Sequence, residues 1–200
     1  MITFIETICI QDGIPQNLMW HQQRIDATLR KFYSSTIPFL LQTEIAAHNF
    51  PKQGKIKCRI VYDKEIKEIS FSLYPPKTIS ALQCIEIPEG YNYPYKFADR
   101  SVIDDLFAQK GIADDILMTH HGYILDTSIA NIAFQKNDRW YTPSLPLLAG
   151  TTWKRLISTG VLIPRPIHQR EIRQFDSFKL FNAMNDWEEV DKISCEEILL

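Results

Sequence analysis

"DDILMTHHGYILDTSIANIAF", residues 114–134, indicates most directly how this chain folds, because short apolar runs alternate in it with turn signals. The runs on either side of "HHG" predict two short strands joined by a tight turn, and the run that starts at Asn131 predicts another. Asp126 lies between these strand-like runs, five residues before Asn131. An acidic residue at such a place is usually a turn former or a cap, so its role depends on what the rest of the chain supplies.

The segment that follows predicts a loop and then a helix. In "LLAGTTWKRLISTG", residues 147–160, we expect the helix to start at Gly150-Thr151-Thr152 and to end at Gly160. Free backbone N–H groups and the helix dipole favour an anion at such a start, and the two threonine hydroxyls add donors. The alternative is a simple threonine N-cap.

The N-terminal half begins with a strand and a helix. The segment "ITFIETICI", residues 2–10, is rich in β-branched and aromatic residues and predicts the strand. The segment "LMWHQQRIDATLRKFY", residues 18–33, has apolar residues at helical spacing and predicts an amphipathic helix. His21 and Arg24 lie one turn apart on this helix and point the same way. Taken alone, such a pair indicates a solvated face.

One lysine has unusual neighbours. In "EGYNYPYKFADRS", residues 89–101, Lys96 lies between Tyr95 and Phe97 and follows an aperiodic stretch that reads as a linker. An amine held against aromatic rings is partly desolvated, which lowers its pKa and leaves a neutral nucleophile that can form an imine. The alternative is a lysine whose stem covers an aromatic patch while its ammonium group reaches water.

Composition narrows the class of protein. The chain has 200 residues, of which 45% are hydrophobic, and its 22 basic and 24 acidic residues give a net charge of -2. It contains no basic stripe that would follow a nucleic-acid backbone, and no long apolar span for a membrane. The first residues lack the pattern of a secretory signal, and the four cysteines lack metal-ligand spacing. We therefore expect a cytoplasmic, globular protein with reduced cysteines and no nucleic-acid or membrane partner.

The order of these features is more specific than any one of them. A lysine after a linker, then "DDILMTHHGYILDTSIANIAF", "WYTPSLPLLAGTT" and a late "FNAMN" resemble the class IV aminotransferases, which are fold-type IV pyridoxal 5'-phosphate (PLP) enzymes. The resemblance runs through most of the chain. It implies an α+β fold with a small N-terminal α/β sandwich domain at residues 1–87 and an interdomain linker at residues 88–95. A C-terminal β-rich pseudo-barrel domain with helices, which binds the cofactor, would occupy residues 96–200.

The resemblance also implies roles for the residues that hold the cofactor. Lys96 matches the lysine that binds PLP covalently, and Arg24 matches the arginine that holds the cofactor phosphate from the first helix. Thr151 and Thr152 match the phosphate-binding helix start. A phosphate dianion needs fixed positive charges or N–H donors, and these residue types supply both.

Three further matches complete the expected site. Asp126 falls where the family has a glutamate that pairs with the pyridine nitrogen, and Asn131 matches the family's asparagine. Arg59 occupies the place of an arginine near the substrate carboxylate. A carboxylate beside the pyridine nitrogen favours its protonated state, on which the electron sink depends. Asp126 is one methylene shorter than the usual glutamate, so the cofactor would lie nearer its strand or a water would intervene.

The implied activity follows from the same comparison. The "FIET" start, the H-x-x-R helix and "NAM" are most similar to the members that release pyruvate from 4-amino-4-deoxychorismate and leave 4-aminobenzoate, a step of folate biosynthesis. One alternative is transamination of a branched-chain or D-amino acid, which shares the first proton transfer. A second alternative is a catalytically degenerate relative that binds a ligand. The resemblance further implies a small-molecule amino substrate and a homodimer.

Overall fold

The computed structural model describes residues 2–33, 39–75 and 78–200. The chain divides into two compact units. The first unit contains the described residues between 2 and 75 together with Tyr95–Asp99, and the second contains residues 78–94 and Arg100–Leu200. None of the described helices is both long and apolar enough to cross a membrane.

The first unit is a four-stranded antiparallel sheet with two helices, and its strand order is β2-β1-β3-β4. The expected first strand and first helix are both confirmed. The elements are β1 (Phe4–Gln11), β2 (Ile14–Pro15), α1 (Leu18–Tyr33), α2 (Leu41–Ala46), β3 (Lys55–Tyr62) and β4 (Ile66–Leu73).

The core of this unit lies on one face of the sheet. Side chains alternate across a strand, so every second residue of β3 is buried, and β1 contributes Phe4, Ile8 and Ile10 to the same core. Helix α1 covers this face with Ile25 and Leu29, which are almost fully buried. Burial of each such side chain stabilises the fold by about 1.5–3 kcal/mol.

The second unit contains two sheets and two short helices. One sheet has the order β10-β9-β8-β11-β12 and the other has the order β13-β5-β6-β7. The expected turns at "HHG" and "KNDR" are confirmed as the β6–β7 and β8–β9 connections. The elements are β5 (Leu82–Glu86), α3 (Ser101–Phe107), β6 (Asp115–His120), β7 (Tyr123–Thr127), β8 (Asn131–Lys136), β9 (Arg139–Pro143), α4 (Thr151–Ser158), β10 (Leu162–Arg165), β11 (Ser177–Phe181), β12 (Ile193–Ser194) and β13 (Ile198–Leu199), with 3-10 turns at Gln169–Gln174 and Cys195–Glu197.

The compact units differ from the expected domains at two places. Strand β5 lies before residue 87 yet pairs in parallel with β6, so it belongs to the sheet of the second unit. Lys96 lies beyond the expected linker yet belongs to the first unit, because its segment pairs with the start of β1. Parallel and edge pairings join segments that are distant in the chain, and local periodicity does not reveal them.

Candidate active site

A buried ionic group lies beneath helix α1 in the first unit. Glu6 of β1 accepts two hydrogen bonds from Arg24, at 2.7 Å from Nε to Oε1 and 2.6 Å from Nη2 to Oε2. His21 Nδ1 lies 2.6 Å from Glu6 Oε2. Glu6 and His21 are fully buried and Arg24 is 9% exposed. The bidentate geometry fixes the guanidinium and carboxylate planes relative to each other.

The protonation states in this group follow from its surroundings. Burial alone would raise the pKa of Glu6, but the charge and hydrogen bonds of Arg24, with the bond from His21, outweigh it and lower the pKa to about 2. Burial lowers the pKa of His21 more than Glu6 raises it, so the imidazole is neutral at pH 7. An ionised carboxylate only accepts, so the His21 hydrogen is on Nδ1. His21 Nε2 is then a buried lone pair, without a hydrogen-bond partner among the described residues.

This geometry corrects the expectation of a solvated face. His21 and Arg24 point the same way, as predicted, but they point into the core because Glu6 lies opposite them. Sequence reasoning missed Glu6. Its signal is visible in "FIETICI", where a carboxylate occupies the same face of the strand as Phe4 and Ile8. The Nε and Nη2 groups of Arg24 donate to Glu6. The role of Arg24 toward a phosphate stays a prediction.

Lys96 lies in a backbone segment that is held firmly against β1. Ile5 N–H donates to the Lys96 carbonyl at 2.9 Å, and Ala98 N–H donates to the Thr3 carbonyl at 2.9 Å. Phe97 forms an isolated antiparallel bridge with Phe4. Two main-chain hydrogen bonds therefore fix the backbone from which the half-buried Lys96 side chain extends.

The two aromatic residues beside Lys96 pack within the first unit. The rings of Tyr95 and Phe97 pack with Phe32 and belong to the core of the first unit. Phe97 N–H donates to the Tyr95 carbonyl at 2.8 Å, so the backbone turns at Lys96 between the two rings. The role of this amine toward a cofactor stays a prediction.

Arg59 lies on the face of the first sheet that also carries Ile5 and Val61. Ile5 pairs with Val61, and Arg59 is two residues from Val61 on β3. Residues two apart on a strand share a face, and Ile5 N–H donates to the Lys96 carbonyl, so the backbone of Lys96 borders the strand that pairs with β3. Arg59 is half-buried there.

Two of the predicted residues of the second unit, Asp126 and Asn131, belong to one hydrogen-bond network. Asn131 Nδ2 donates to Asp126 Oδ1 at 2.7 Å and to the Leu148 carbonyl at 2.9 Å. Leu148 N–H donates to Asp126 Oδ2 at 2.8 Å. Asp126 and Asn131 are 5% and 6% exposed. The network joins β7, β8 and the loop before α4, so Asp126 positions this loop whatever else its carboxylate binds.

The start of helix α4 follows directly from this network. Gly150 is the N-cap residue, and no side chain caps the helix, which corrects the threonine N-cap alternative. A Cβ at Gly150 would lie 2.3 Å from Asn131 Oδ1, so only glycine allows this close approach. Thr151 and Thr152 are nearly fully buried, and Thr152 Oγ1 finds no hydrogen-bond partner in the part of the chain that the structure describes. An uncapped helix start with an unsatisfied buried hydroxyl fits a bound phosphate group.

Two further residues brace the turn between Asp126 and Asn131. Asn182 Nδ2 donates to the Ile129 carbonyl at 3.1 Å, and Arg100 Nη2 donates to the Ser128 carbonyl at 2.9 Å. Asn182 is the first asparagine of "FNAMN", a motif in which the sequence assigned no role to any single residue. Arg100 carried no signal in the sequence, because side-chain contacts to backbone carbonyls leave no spacing pattern.

Asp126→Asn is expected to lower the free energy of unfolding by about 1–3 kcal/mol, the cost of an unsatisfied buried polar group. In the parent, both carboxylate oxygens of Asp126 accept hydrogen bonds. In the variant, the NH2 group of the new amide would face either Leu148 N–H or the Asn131 NH2 group, which are both donors. A flip of Asn131 only moves the mismatch to the Leu148 carbonyl. Urea unfolding measures the effect, with exposed Asp105→Asn as the matched control. Equal stability of the two variants would show that the network does not need the second acceptor.

Gly150→Ala is expected to destabilise the chain by about 1–3 kcal/mol, as overpacking does. The added methyl group would displace Asn131 Oδ1, whose amide is held by two hydrogen bonds and cannot move freely. Asn131→Ala removes the obstructing oxygen, so Gly150→Ala should cost much less in that background. Thermal unfolding of the four chains of this double-mutant cycle measures the coupling. If the two substitutions have additive effects on stability, the added methyl group does not clash with Asn131.

Comparison with known proteins identifies the family. The family model for amino-transferase class IV matches residues 3–193. An uncharacterized protein from Haemophilus influenzae is 37% identical over 187 residues, which cover 92% of this chain and 99% of that protein. A protein from Schizosaccharomyces pombe, provisionally named an aminodeoxychorismate lyase, is 28% identical over 146 residues, which cover 70% of this chain and 59% of that protein.

Solved structures share the whole fold. A crystal structure from Haemophilus somnus, provisionally named a 4-amino-4-deoxychorismate lyase, has a TM-score of 0.86 and 33% identity and covers 93% of this chain and 98% of that one. The PLP-bound form of a hypothetical aminotransferase from Mycobacterium tuberculosis has a TM-score of 0.72 and 15% identity over 96% of this chain and 80% of that one. The α+β, fold-type IV prediction is thereby confirmed. Enzymes of this class depend on PLP, and the chain belongs to the class IV aminotransferase family.

Proposed function

We propose that this chain is a PLP-dependent lyase that releases pyruvate from 4-amino-4-deoxychorismate and leaves 4-aminobenzoate. The observation that carries the proposal is the similarity to the Haemophilus somnus structure, which extends over 98% of that chain at 33% identity. The motifs that resemble the lyases of this family lie in both units, at the "FIET" strand, the H-x-x-R helix and "FNAM".

In the first unit, Lys96 is proposed to hold the cofactor covalently until the substrate amine takes its place. Its amine then removes the proton from the carbon that bears the substrate amino group, as a general base. The fixed backbone supports this role, because main-chain bonds to β1 position the side chain. Arg59 of β3 is proposed to pair with a substrate carboxylate.

In the second unit, Thr151 and Thr152 are proposed to bind the cofactor phosphate at the start of α4. The unsatisfied, buried Thr152 hydroxyl is the observation that supports this assignment. The family resemblance also predicts a phosphate-binding role for Arg24, whose guanidinium Glu6 orients. Loss of one charge-assisted hydrogen bond to the phosphate would cost on the order of 1.5–3 kcal/mol.

Asp126 is proposed to face the pyridine nitrogen, with Asn131 fixing its orientation. When bound, PLP supplies an electron sink for the pair left behind by proton removal, and a carboxylate beside its ring nitrogen strengthens that sink. One Asp126 oxygen accepts from Asn131 and the other accepts from Leu148 N–H, so the orientation of the carboxylate is fixed.

An absorbance spectrum followed by a coupled pyruvate assay tests the function. The purified protein should be yellow, and it should form pyruvate and 4-aminobenzoate in equal amounts from aminodeoxychorismate. Amino-group transfer from a branched-chain or D-amino acid to a keto acid, without pyruvate release, would replace the lyase assignment with a transaminase. A colourless protein that stays inactive with added PLP would indicate a degenerate ligand-binding relative.

The proposal includes the expected assembly and location, a homodimer in the cytoplasm. Small-molecule amino substrates are typical of the family. Sedimentation of the purified protein at several concentrations tests the dimer, and a monomer at all of them would contradict it.

A further inference from the structure

Three side chains that suit a metal ion converge at one end of the second unit, and none has a role in the proposed reaction. Glu86 ends β5, His120 ends β6, and His121 begins the turn into β7. One ligand atom from each lies within 4.8 Å of the other two. The Glu86 Oε1 to His120 Nδ1 distance is 3.8 Å.

The His120 ring has an unsatisfied nitrogen that faces this cluster. His120 Nδ1 is buried, and it has no hydrogen-bond partner among the described residues. The 3.8 Å distance to Glu86 is too long for a hydrogen bond. Buried polar atoms are normally satisfied, so an exception at the centre of a ligand set indicates a missing partner.

The backbone beneath the cluster is held in place. His121 and Gly122 have φ values of 51° and 74°, as a two-residue hairpin turn requires. The Gly122 carbonyl accepts from Gln169 N–H at 2.8 Å. A Cβ at Gly122 would lie 2.5 Å from His168 Nε2, so the turn rests directly on that ring. A rigid support of this kind reduces the entropy lost when ligands close on an ion.

Glu86 is oriented before any metal binds. Its carboxylate accepts from Thr119 Oγ1 at 2.7 Å and from His121 N–H. A ligand that is already held by hydrogen bonds loses little conformational entropy when it binds an ion.

We propose that Glu86, His120 and His121 bind a divalent transition-metal ion of the Zn²⁺ class, with water in the remaining coordination position. A donor set of two imidazoles and one carboxylate favours zinc over calcium or magnesium. Neighbouring ligand atoms around a tetrahedral zinc ion lie roughly 3.3 Å apart, so the cluster needs only small side-chain rotations to close. His121 has room for such a rotation because its side chain is 70% exposed. Glu89, 3.7 Å from His121 Nε2, adds negative charge beside the site.

Competition with a chromophoric zinc chelator tests this site in the full-length holoprotein under reducing conditions. We expect one zinc equivalent to bind. His120→Asn and His121→Asn should each weaken zinc binding more than about 10-fold. Loss of a residue that only hydrogen-bonds to a ligand already lowers metal affinity by at least about that factor, and loss of a ligand should cost more. Asparagine tolerates the positive φ at position 121, so this variant keeps the turn. His48→Asn, which removes an exposed histidine of the first unit, should bind zinc as the parent does.

Two further measurements separate this site from adventitious binding. Zinc should raise the unfolding temperature of the parent and of His48→Asn but not of His121→Asn. A metal ion that binds the folded protein stabilises it, and only a protein with the intact site binds zinc in this way. Cys84→Ser, which removes a half-buried thiol of β5, should retain zinc. The proposal is wrong if the parent takes up no zinc, if both histidine variants bind it like the parent, or if the Cys84 variant loses it.

Discussion

Lys96→Ala is expected to abolish pyruvate release, with a loss of turnover of at least about 10²- to 10⁴-fold, the contribution of a positioned proton-transfer group. The fold should persist, because the segment is held by main-chain bonds at Ile5 and Ala98 and by the packed ring of Phe97, which the substitution leaves in place. Turnover at saturating PLP, measured as pyruvate and as 4-aminobenzoate, checks the result. Thermal unfolding confirms that the variant is folded.

Lys110→Ala is the matched control for this prediction. Lys110 Nζ donates to the Ala113 carbonyl at 2.9 Å in the second unit, and it has no proposed role. Borohydride reduction of the yellow parent should fix the pyridoxyl group on the peptide that contains Lys96. Label on the Lys110 peptide, or full activity of Lys96→Ala, would remove Lys96 from the catalytic assignment.

Local pattern predicted the elements well where a single segment carries its own signal. Helix α1 and the β6–β7 turn follow from periodicity and turn chemistry within one stretch, and both are confirmed. The contact between Asp126 and Asn131 could be predicted for the same reason, because the two residues are only five positions apart across one turn. Its third member, the backbone of Leu148, belongs to a loop whose path no local signal describes.

Features that depend on pairing between distant segments could not be predicted in this way. The burial of Arg24 depends on Glu6, 18 residues earlier on a strand that packs under the helix. The setting of Lys96 depends on pairing with β1, which packs the rings of Tyr95 and Phe97 against the core. In both cases the sequence named the residue, and tertiary contacts decided what surrounds it.

Glu6→Gln is expected to lower the free energy of unfolding by about 3–5 kcal/mol, the cost of leaving one buried charge without its partner. The glutamine is nearly isosteric, so the loss reports charge and hydrogen bonding more than packing. Its NH2 group would face donors on Arg24 and His21, where the carboxylate accepts three bonds. Urea unfolding at neutral pH measures the change. Glu68→Gln, at an exposed position of β4, should change stability by less than about 0.5 kcal/mol.

The pH dependence of the same pair of proteins identifies the source of that loss. The pKa of Glu6 falls from its ordinary 4.5 to about 2 on folding, so its stabilisation is complete above about pH 4.5 and is lost as the pH falls toward 2. A pKa lowered by this much corresponds to about 3 kcal/mol, which agrees with the expected cost of substitution. Glutamine does not titrate, so the stability difference between parent and variant should shrink steadily below pH 4.5. Folding lowers the pKa of His21 in the parent. The stability that this histidine contributes is therefore lost at higher pH than that of Glu6, starting as the pH falls through the ordinary histidine pKa of 6.5. A difference that stays constant from pH 6 to pH 3 would show that the Glu6 charge does not hold Arg24 and His21 in the core.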